Sequence, residues 1–393
     1  MKLEEYLGEL YHCFHCHLCS MSNWHRLDAW VPICPSFARF CFESFLASGR
    51  IEITRAIIEK EIDKPTSRLL ESIFSCTGCG ACYEQCKGLT GFKANHVELF
   101  EELKAKLVEL GWGPLTKHAE FSRSIRENYN PYKEPHEKRA AWLKKDVPKK
   151  AETIYFVGCT SSYRTHKIAE ATVDALEIAG INFRIMHPDE WCCGSPLLRT
   201  GQRKMVKDLV RHNVDAIKAS GARRVVFSCA GCYRTFKKDY PAVLGQELGF
   251  DVLHTTEYFS QLIEEGKLKL KNIVSGVITY HDPCHLGRGV GLYEPPRKLL
   301  TSMVGNKFVE MKRNRGDAWC CGAGSGVKSA FPDFAVWAAL ERLKEAKAIG
   351  ASILSSSCPF CKHNFMDALK QAPAELKTLK IRDISELVAE GAK

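Results

Sequence analysis

The chain has 393 residues, 45% of them hydrophobic and 26% charged, which is the composition of a folded globular protein and excludes wholesale disorder. At roughly 150 residues per domain, this length predicts two or three domains. No run approaches the about 18 consecutive apolar residues that a membrane-spanning helix needs. The formal net charge of +10 would by itself permit binding to nucleic acid or to an anionic surface.

Cysteine is the residue type that departs from the norm, with 19 copies. The N-terminal sequence MKLEE is acidic and amphipathic and lacks the basic start and apolar core of a secretory signal, so we expect a cytoplasmic protein. Thiols stay reduced in that compartment, where clustered cysteines usually bind metal. The spacing of the cysteines is therefore the main guide to function.

Residues 1–112 are predicted to form an all-helical domain whose cysteines fall into two groups separated by a helix around residues 51–61. A further helix is indicated by Asn95 as N-cap, Glu98 three residues later, and an apolar stripe made of Val97, Phe100, Leu103, Leu107 and Leu110. Residues 113–150 contain four prolines and end in a Lys-rich run. They are predicted to be an exposed linker.

From residue 151 onward, short apolar strands alternate with helices, a texture typical of α/β architecture. Each predicted strand leads towards cysteines, and the strands are expected at 153–157, 183–186, 224–227, 276–280, 308–311 and 351–354. Because the same order occurs twice, we predict a duplication into two α/β domains, residues 151–272 and 273–393. Cysteines at the carboxyl ends of strands lie at the sheet edge where such folds usually build binding sites.

The N-terminal cysteines follow the spacing of bacterial two-cluster ferredoxins. Three cysteines at i, i+3 and i+6 surround one corner of a cubane [4Fe-4S] cluster, and the fourth ligand comes from the other group. This pattern assigns one cluster to Cys13, Cys16, Cys19 and Cys86, and the other to Cys76, Cys79, Cys82 and Cys34.

Two features depart from that spacing. The long gap between Cys19 and Cys34 implies an inserted loop, whose Trp24, His25, Arg26 and Trp30 either pack against a cluster or face a partner. Cys86 is followed by Lys87 rather than proline. Neither departure removes a ligand, and two triplets that each take a distant fourth cysteine fit a tetrahedral zinc site poorly.

The remaining ten cysteines form a pattern that occurs twice. Each unit has one cysteine, an adjacent pair followed by glycine, and a Cys-x2-Cys, and the two sets are Cys159, Cys192, Cys193, Cys229, Cys232 and Cys284, Cys320, Cys321, Cys358, Cys361. Adjacent cysteines do not easily form a relaxed disulfide, and five thiols exceed what one cubane or one zinc ion requires. The pattern therefore favours an unusual metal centre in each repeat.

At these residues the sequence closely resembles the cysteine-rich CCG-domain family, best known from heterodisulfide reductase of methane-producing archaea. The phrases that carry the resemblance are VGC at 157–159, WCCG at 191–194, DPCHLGR at 282–288 and WCCGAG at 319–324. The resemblance implies a noncubane [4Fe-4S] cluster held by the five cysteines of each repeat. It also implies a fusion of the two-cubane subunit with the catalytic subunit.

The resemblance implies two functions that differ in chemistry. In the first, the chain reduces a disulfide, or oxidises two thiols, between the two CCG centres, with Cys193 and Cys321 as catalytic ligands and the N-terminal cubanes as the electron path. Two centres suit this reaction because breaking a disulfide takes two electrons, whereas a cluster normally passes one. In the second, the chain only transfers electrons between a flavoprotein dehydrogenase and a quinone or cytochrome partner. Completeness of both motifs favours the first.

Several residues beside the motifs are candidates for supporting roles. His285 and Arg288 are candidates for proton donation or for binding an anionic thiol substrate, with capping or hydrogen bonding to a cluster as the alternative. His166 is a weaker candidate in the first repeat. Cys41 fits no motif and is expected to be a buried small apolar residue.

The expected cofactors and partners follow from the same residues. The glycines at 287, 289, 291 and at 322, 324, 326 lack the full dinucleotide fingerprint, so they are expected to let backbone approach a cluster, and we expect neither flavin nor nicotinamide in this chain. Thiolate-held clusters would offset most of the net charge, so no nucleic-acid partner is expected. The expected partners are a membrane cytochrome b, a flavoprotein or a larger redox complex, together with a small thiol or disulfide. Structural zinc at Cys229, Cys232, Cys358 and Cys361 remains a third interpretation.

Overall fold

The structure is a computed structural model that describes residues 2–22, 30–87, 89–271, 274–303 and 305–393. Trp24, His25 and Arg26 of the loop predicted between Cys19 and Cys34 lie outside the described residues. Trp30, at the end of that loop, is 54% exposed.

The described part of residues 2–150 is helical apart from one isolated antiparallel bridge between Met21 and Pro32. Short 3-10 helices lie at Leu3–Tyr6, Leu18–Ser20, Glu43–Phe45 and His136–Ala140. The α-helices are α1 (Leu7–Leu10), α2 (Pro35–Phe40), α3 (Ala47–Ile58), α4 (Ser67–Phe74), α5 (Ala81–Cys86), α6 (His96–Glu109) and α7 (Thr116–Asn128).

Helix α6 begins where the sequence predicts. Asn95 Oδ1 accepts a hydrogen bond from the backbone N–H of Val97 at 2.9 Å, which satisfies one of the unpaired N–H groups at the helix start. The buried face is rotated slightly from the predicted stripe, because Leu99 is buried whereas Leu110, beyond the last turn, is 44% exposed. The helix therefore packs through the positions between Leu99 and Leu107.

The segment 113–150 differs from the exposed linker that its composition predicts. It contains helix α7 and a 3-10 helix, and it buries Ile125, Arg139 and Trp142 against the rest of the chain. The four prolines and the Lys-rich run led to the prediction of an exposed segment, because composition does not show that these few side chains are buried. The segment therefore packs along the α/β part as a folded connection.

The α/β part contains two parallel four-stranded sheets with the same strand order. The first sheet has the order β2-β1-β3-β4 and the second β6-β5-β7-β8. The strands are β1 (Thr153–Phe156), β2 (Phe183–Ile185), β3 (Arg224–Phe227), β4 (Asp251–His254), β5 (Gly276–His281), β6 (Asn306–Phe308), β7 (Ile353–Ser356) and β8 (Lys380–Asp383). The fold therefore combines a helical N-terminal part with a repeated parallel sheet.

The sequence analysis did not predict the last strand of each repeat, β4 or β8, which lies at one edge of its sheet. Both are short edge strands that begin at an exposed residue, Asp251 or Lys380, and alternate buried with less buried positions, so neither forms the apolar run that marks a central strand. Of the central strands, β1 and β7 are buried at every position, and β3 and β5 are buried over their last residues. The strand expected at 308–311 lies earlier in the chain, at Asn306–Phe308.

Helices cover both faces of each sheet. In the first repeat they are α8 (Cys159–Tyr163), α9 (His166–Ile178), α10 (Ser195–Arg199), α11 (Val206–Ala219), α12 (Ala230–Arg234), a π-helix (Thr235–Asp239), α13 (Tyr240–Leu244) and α14 (Thr255–Glu264). In the second repeat they are α15 (Gly287–Val290), α16 (Glu294–Ser302), α17 (Val327–Ala330), α18 (Pro332–Ala348), α19 (Pro359–Gln371) and α20 (Ile384–Ala392). Further 3-10 helices lie at Arg203–Met205, Arg315–Asp317 and Leu376–Thr378.

The two sheets share one hydrophobic interior. Helix α9 of the first repeat packs against α20 of the second, and Tyr155 and Tyr280 on the first strand of each repeat belong to the same buried cluster. The two tyrosine hydroxyls hydrogen-bond to the serines that precede the Cys-x2-Cys motifs, Ser228 at 2.8 Å and Ser357 at 3.1 Å. This packing places corresponding ends of the two sheets side by side.

Among the described residues, none of the helices is long and apolar enough to cross a membrane.

Candidate metal centres

Four N-terminal cysteines surround a common cavity. Cys34, Cys76, Cys79 and Cys82 all line a space of about 410 Å³ that is partly open to solvent. Cys34 precedes α2, Cys82 lies in α5, and the loop between α4 and α5 supplies the other two. We call this set the inner group; it contains the four cysteines that the sequence assigns to one cubane.

The other four N-terminal cysteines form what we call the outer group. Burial raises the pKa of Cys13, and the nearby thiols of Cys86 and Cys16 raise it further. Burial also raises the pKa of Cys19 to about 12, with Cys34 of the inner group and Cys13 adding to the effect. The outer group thus contains the second predicted set, with Cys19 on the side that faces the inner group.

The five cysteines of the first repeat converge at the carboxyl end of the sheet and are all buried. We call them the first five-cysteine group. The Cys192 thiol hydrogen-bonds to Cys159 and Cys193, and Cys232 hydrogen-bonds to Cys193 and Cys229. Hydrogen bonds from Cys192 and then Cys232 lower the pKa of Cys193 well below that of an ordinary thiol.

The second five-cysteine group repeats this arrangement. Cys320 hydrogen-bonds to Cys284 and Cys321, and Cys361 hydrogen-bonds to Cys321 and Cys358. Hydrogen bonds from Cys320 and then Cys361 lower the pKa of Cys321 well below the ordinary value. The second cysteine of the adjacent pair therefore has a lowered pKa in both repeats, and in the first repeat the pKa values of Cys159 and Cys229 are lowered as well.

Two sulfur contacts connect these groups in a row. The Cys79 thiol of the inner group lies beside Cys320, and the Cys229 thiol of the first five-cysteine group lies beside Cys358 of the second. The order is therefore outer group, inner group, second five-cysteine group, first five-cysteine group. The sequence could not reveal this order, because it depends on how the helical part packs on the sheets.

Arg288 lies at the first of these contacts. Its Nε donates to the carbonyl oxygen of Cys79 at 2.7 Å, and its Nη1 donates to the carbonyls of Gly316 at 3.1 Å and Ala318 at 2.7 Å. The nearby Cys79 charge helps to hold the pKa of Arg288 above its ordinary value despite burial. The guanidinium thus joins the loop of the inner group to the residues that lead into Cys320.

Lys104 lies at the same interface and was not predicted to be part of it. Its side chain is 1% exposed, and Nζ donates to the carbonyl of Cys76 at 3.2 Å and to Ser325 Oγ at 2.9 Å. Burial lowers its pKa to about 8. Lys104 occupies a polar position inside α6, and helical periodicity alone assigns such a residue to solvent.

A buried ion pair supports the first five-cysteine group. Arg139 Nη1 donates to Glu190 Oε1 at 2.7 Å, and Arg139 Nη2 donates to Cys159 Sγ at 3.4 Å. The Glu190 carboxylate also accepts the backbone N–H groups of Val157 and Gly158, each at 2.9 Å. Arg139 belongs to the segment that the sequence describes as a linker, so this role was not predicted.

Removing one member of this ion pair should destabilise the fold. We expect Arg139→Met to cost about 3–5 kcal/mol, because the Glu190 carboxylate would remain buried without its partner. The double variant Arg139→Met/Glu190→Gln should recover much of this loss, since it removes both charges. Anaerobic denaturant unfolding of both proteins checks the prediction, and equal stability of the single variant and the unchanged protein would contradict it.

His285 lies between the two five-cysteine groups. In the chain, His285 follows Cys284 of the second repeat. It nevertheless lies against the first repeat, because a methyl group on Gly231 would be 3.5 Å from His285 Nδ1 and 3.7 Å from Cys229 Sγ. Burial and then the charges of Arg234 and Arg199 hold its pKa well below the ordinary value. A pocket of about 370 Å³, partly open to solvent, reaches this histidine past residues that include Arg234, Lys238 and Glu98.

Other candidates lie elsewhere. Cys41 is exposed rather than buried, because it ends α2 in the left-handed region with φ 54°. His166 is exposed at the start of α9. The four thiols of the zinc interpretation are neighbours, but Cys232 and Cys361 also hydrogen-bond to Cys193 and Cys321, so each lies within a group of five.

In the second glycine run, Gly324 and Gly326 approach the N-terminal part rather than a thiol, whereas Gly322 lies against Ala338 of α18. A methyl group on Gly324 would lie 2.5 Å from the carbonyl oxygen of Thr77, and one on Gly326 would lie 2.4 Å from His118 Nε2. The expected close approach of backbone is thus made to the loop that carries the inner group. In the first run, Gly289 lies against Arg234 and the carbonyl of Cys284.

Comparison with known proteins identifies the family. The family model "4Fe-4S dicluster domain" matches residues 9–88, and the model "Cysteine-rich domain" (CCG) matches residues 153–237 and 278–366. The chain is 44% identical over 334 residues to one subunit of the dihydromethanophenazine:CoB–CoM heterodisulfide reductase of Methanosarcina acetivorans, covering 83% of this chain and 80% of that protein. The chain belongs to the family of this heterodisulfide reductase subunit.

Other relatives extend the comparison. The corresponding heterodisulfide reductase subunit of Methanosarcina barkeri is 42% identical over 81% of this chain and 78% of its own length. One subunit of the fumarate reductase (CoM/CoB) of Methanothermobacter marburgensis is 32% identical over 83% of this chain and 64% of its own length. The resemblance predicted from the cysteine motifs is confirmed, and the protein is an iron–sulfur oxidoreductase of the heterodisulfide reductase type.

Proposed function

We propose that this chain reduces a small disulfide to two thiols, or runs the reverse reaction, between its two five-cysteine groups. The reaction is RSSR′ + 2 e⁻ + 2 H⁺ → RSH + R′SH, with both electrons supplied by a redox partner of the complex. The observation that carries the proposal is the row of sulfur contacts, in which Cys79 meets Cys320 and Cys358 meets Cys229.

The grouping of the thiols supports the proposed cofactors. The inner and outer groups each offer four cysteines and would hold one cubane [4Fe-4S] cluster. The first and second five-cysteine groups offer five each and would hold one noncubane [4Fe-4S] cluster. When bound, these clusters supply the one-electron steps that the side chains cannot perform.

The residues of the chain prepare each site for this chemistry. Cys193 and Cys321 bind as thiolates because their neighbours lower their pKa values, which favours metal ligation. Arg288 acts as a positioning residue that keeps the inner group beside Cys320. His285 faces both five-cysteine groups from the pocket, where its imidazole can hydrogen-bond to a substrate sulfur.

A solely electron-transferring role is the alternative. The EtfAB:quinone oxidoreductase of Syntrophomonas wolfei is 29% identical over 81% of this chain, although the chain covers 46% of that protein. The structure favours disulfide chemistry because both five-cysteine groups are complete, buried and adjacent at Cys229 and Cys358. A chain that only passes electrons would not need two such groups at the far end of its path.

Metal analysis tests the cofactor assignment. We expect about 16 iron atoms and as many sulfide ions per chain after anaerobic purification, from two cubane and two noncubane clusters. We expect less than one zinc ion per chain. About 8 iron atoms per chain, without an EPR signal that responds to added thiols, would contradict the proposal and favour electron transfer alone.

A further inference from the structure

The two repeats differ at one buried position beside the five-cysteine groups. Phe156 and His281 each stand three residues before the first cysteine of their repeat and end the first strand of their sheet. Their strand partners also correspond, because Phe156 pairs with Phe227 and His281 with Ser356, each two residues before a Cys-x2-Cys motif. Histidine therefore occupies in the second repeat the place that phenylalanine occupies in the first.

The surroundings of His281 have changed with it. The aromatic neighbour is retained, since Phe236 lies 5.0 Å from Phe156 and Phe365 lies 4.9 Å from His281, both edge to face. The residue 21 positions after the second cysteine of the adjacent pair is Val214 in the first repeat and Arg342 in the second. In the sequence, the second repeat therefore has a histidine and an arginine where the first has two apolar residues.

Arg342 is held firmly in this buried position. Its side chain is fully buried, and its Nη1 donates to the carbonyl of Arg313 at 2.8 Å and to Glu345 Oε2 at 2.7 Å. Its Nε donates to His281 Nδ1 at 3.3 Å. Burying a guanidinium and an imidazole is costly unless both are hydrogen-bonded, so the arrangement is a specific one.

The contact with Arg342 fixes which nitrogen of His281 carries the proton. A guanidinium can only donate, so Nδ1 must accept, and in a neutral imidazole the proton then lies on Nε2. His281 is 1% exposed, and one of its ring nitrogens lies within 4.8 Å of the sulfurs of Cys321 and Cys361. Because Nδ1 is engaged by Arg342, the Nε2–H is the group of His281 that is left to donate to the neighbouring Cys321 sulfur, and a protonated nitrogen cannot bind a metal.

We propose that His281 is a positioning residue that raises the reduction potential of the second five-cysteine group through the hydrogen bond to Cys321. A donor to a cluster thiolate disperses its negative charge and stabilises the more electron-rich state. The first group has Phe156 at this place, which offers no donor. The inference rests on the proposed function, because it requires a redox cluster on these cysteines.

The position of the second group in the row gives this difference a role. Cys320 of that group contacts Cys79, so electrons that travel through the N-terminal groups reach the second group before the first. A higher potential at this point favours transfer out of the inner group. The first group has a different hydrogen-bond donor, because Arg139 donates to Cys159 Sγ. The two groups therefore differ in which cysteine receives a hydrogen bond from a side chain.

The test compares three proteins by EPR-monitored redox titration: the unchanged chain, His281→Phe and His281→Gln. Phenylalanine copies the residue of the first repeat, whereas the glutamine amide keeps an N–H donor near the position of Nε2. We expect His281→Phe to weaken reduction of the second group about tenfold, which is 59 mV for one electron. The other groups should keep their potentials, and His281→Gln should remain close to the unchanged protein.

Iron content and nitrogen hyperfine spectra separate the possible failures. Full iron with an unchanged potential in His281→Phe overturns the inference but leaves the proposed function standing. A strong hyperfine coupling to an imidazole nitrogen in the unchanged chain also overturns it, because that indicates a ligand rather than a donor. Absence of iron from the second group in the unchanged chain overturns the proposed function. If His281→Phe loses its iron, two other measurements decide. A weak nitrogen coupling in the unchanged chain together with an unchanged potential in His281→Gln supports the inference, and failure of either result overturns it.

Discussion

Replacing Cys193 or Cys321 by alanine is expected to abolish disulfide reduction, with turnover reduced at least about 1,000-fold. The reason is that reduction of one disulfide takes two electrons, and each five-cysteine centre is expected to supply one of them. Both thiols are buried, and two neighbouring cysteines lower the pKa of each well below the ordinary value. Each thiol is therefore readily available as a thiolate ligand to a metal. The single variants should be equally inactive.

The measurement is turnover of a disulfide with a one-electron donor, together with the EPR spectra of the N-terminal clusters. Those spectra should persist in both variants, because Cys193 and Cys321 belong to neither N-terminal group. Cys41→Ala is the matched control, since that thiol is exposed and lies outside every group. Full turnover by either variant would show that one five-cysteine group suffices, and the two-centre mechanism would then be wrong.

The grouping of the cysteines could be predicted from the sequence because metal-binding motifs are local. The spacings around Cys13 and Cys76, and the repeated pattern from Cys159 to Cys361, depend on short segments that one strand end or one helix start can position. The strands predicted before these cysteines are largely confirmed for the same reason. Parallel strands that are buried on both faces are apolar runs, and such runs are visible without a structure.

The groups that surround the ligands could not be predicted, because they come from distant parts of the chain. Lys104 reaches Ser325, Arg288 reaches the carbonyl of Cys79, and Arg139 reaches Glu190. Each of these side chains is charged, and its residue type alone would predict a position on the surface. The prolines of residues 113–150 had the same effect, since they concealed a segment that buries Trp142.

Replacing Gly324 by alanine is expected to slow electron transfer from the N-terminal groups to the five-cysteine groups by about tenfold, because it separates them. The added methyl group would lie 2.5 Å from the carbonyl oxygen of Thr77, which belongs to the loop between Cys76 and Cys79. Backbone cannot approach a carbon so closely, so the loop must shift. Overpacking of this kind costs about 1–3 kcal/mol if the backbone stays in place, and a shift of the loop relieves that cost.

The shift matters because the loop carries the sulfur that meets the second five-cysteine group. Cys79 touches Cys320, and Arg288 fixes this contact through the carbonyl of Cys79. Gly324 is not in the left-handed region, so alanine adds no backbone strain of its own there. The effect therefore acts on the distance between the two sulfurs rather than on either set of ligands.

Stopped-flow spectroscopy separates this effect from loss of a cluster. The N-terminal clusters are first reduced and then mixed with disulfide, and their reoxidation is followed while the iron content of each protein is compared. Gly8→Ala is the matched control, because a methyl group at Gly8 meets nothing within 4 Å. An unchanged reoxidation rate in Gly324→Ala would mean that electrons leave the inner group by a path other than Cys79 and Cys320. Slower reoxidation with full iron would place that step at the contact between these two cysteines.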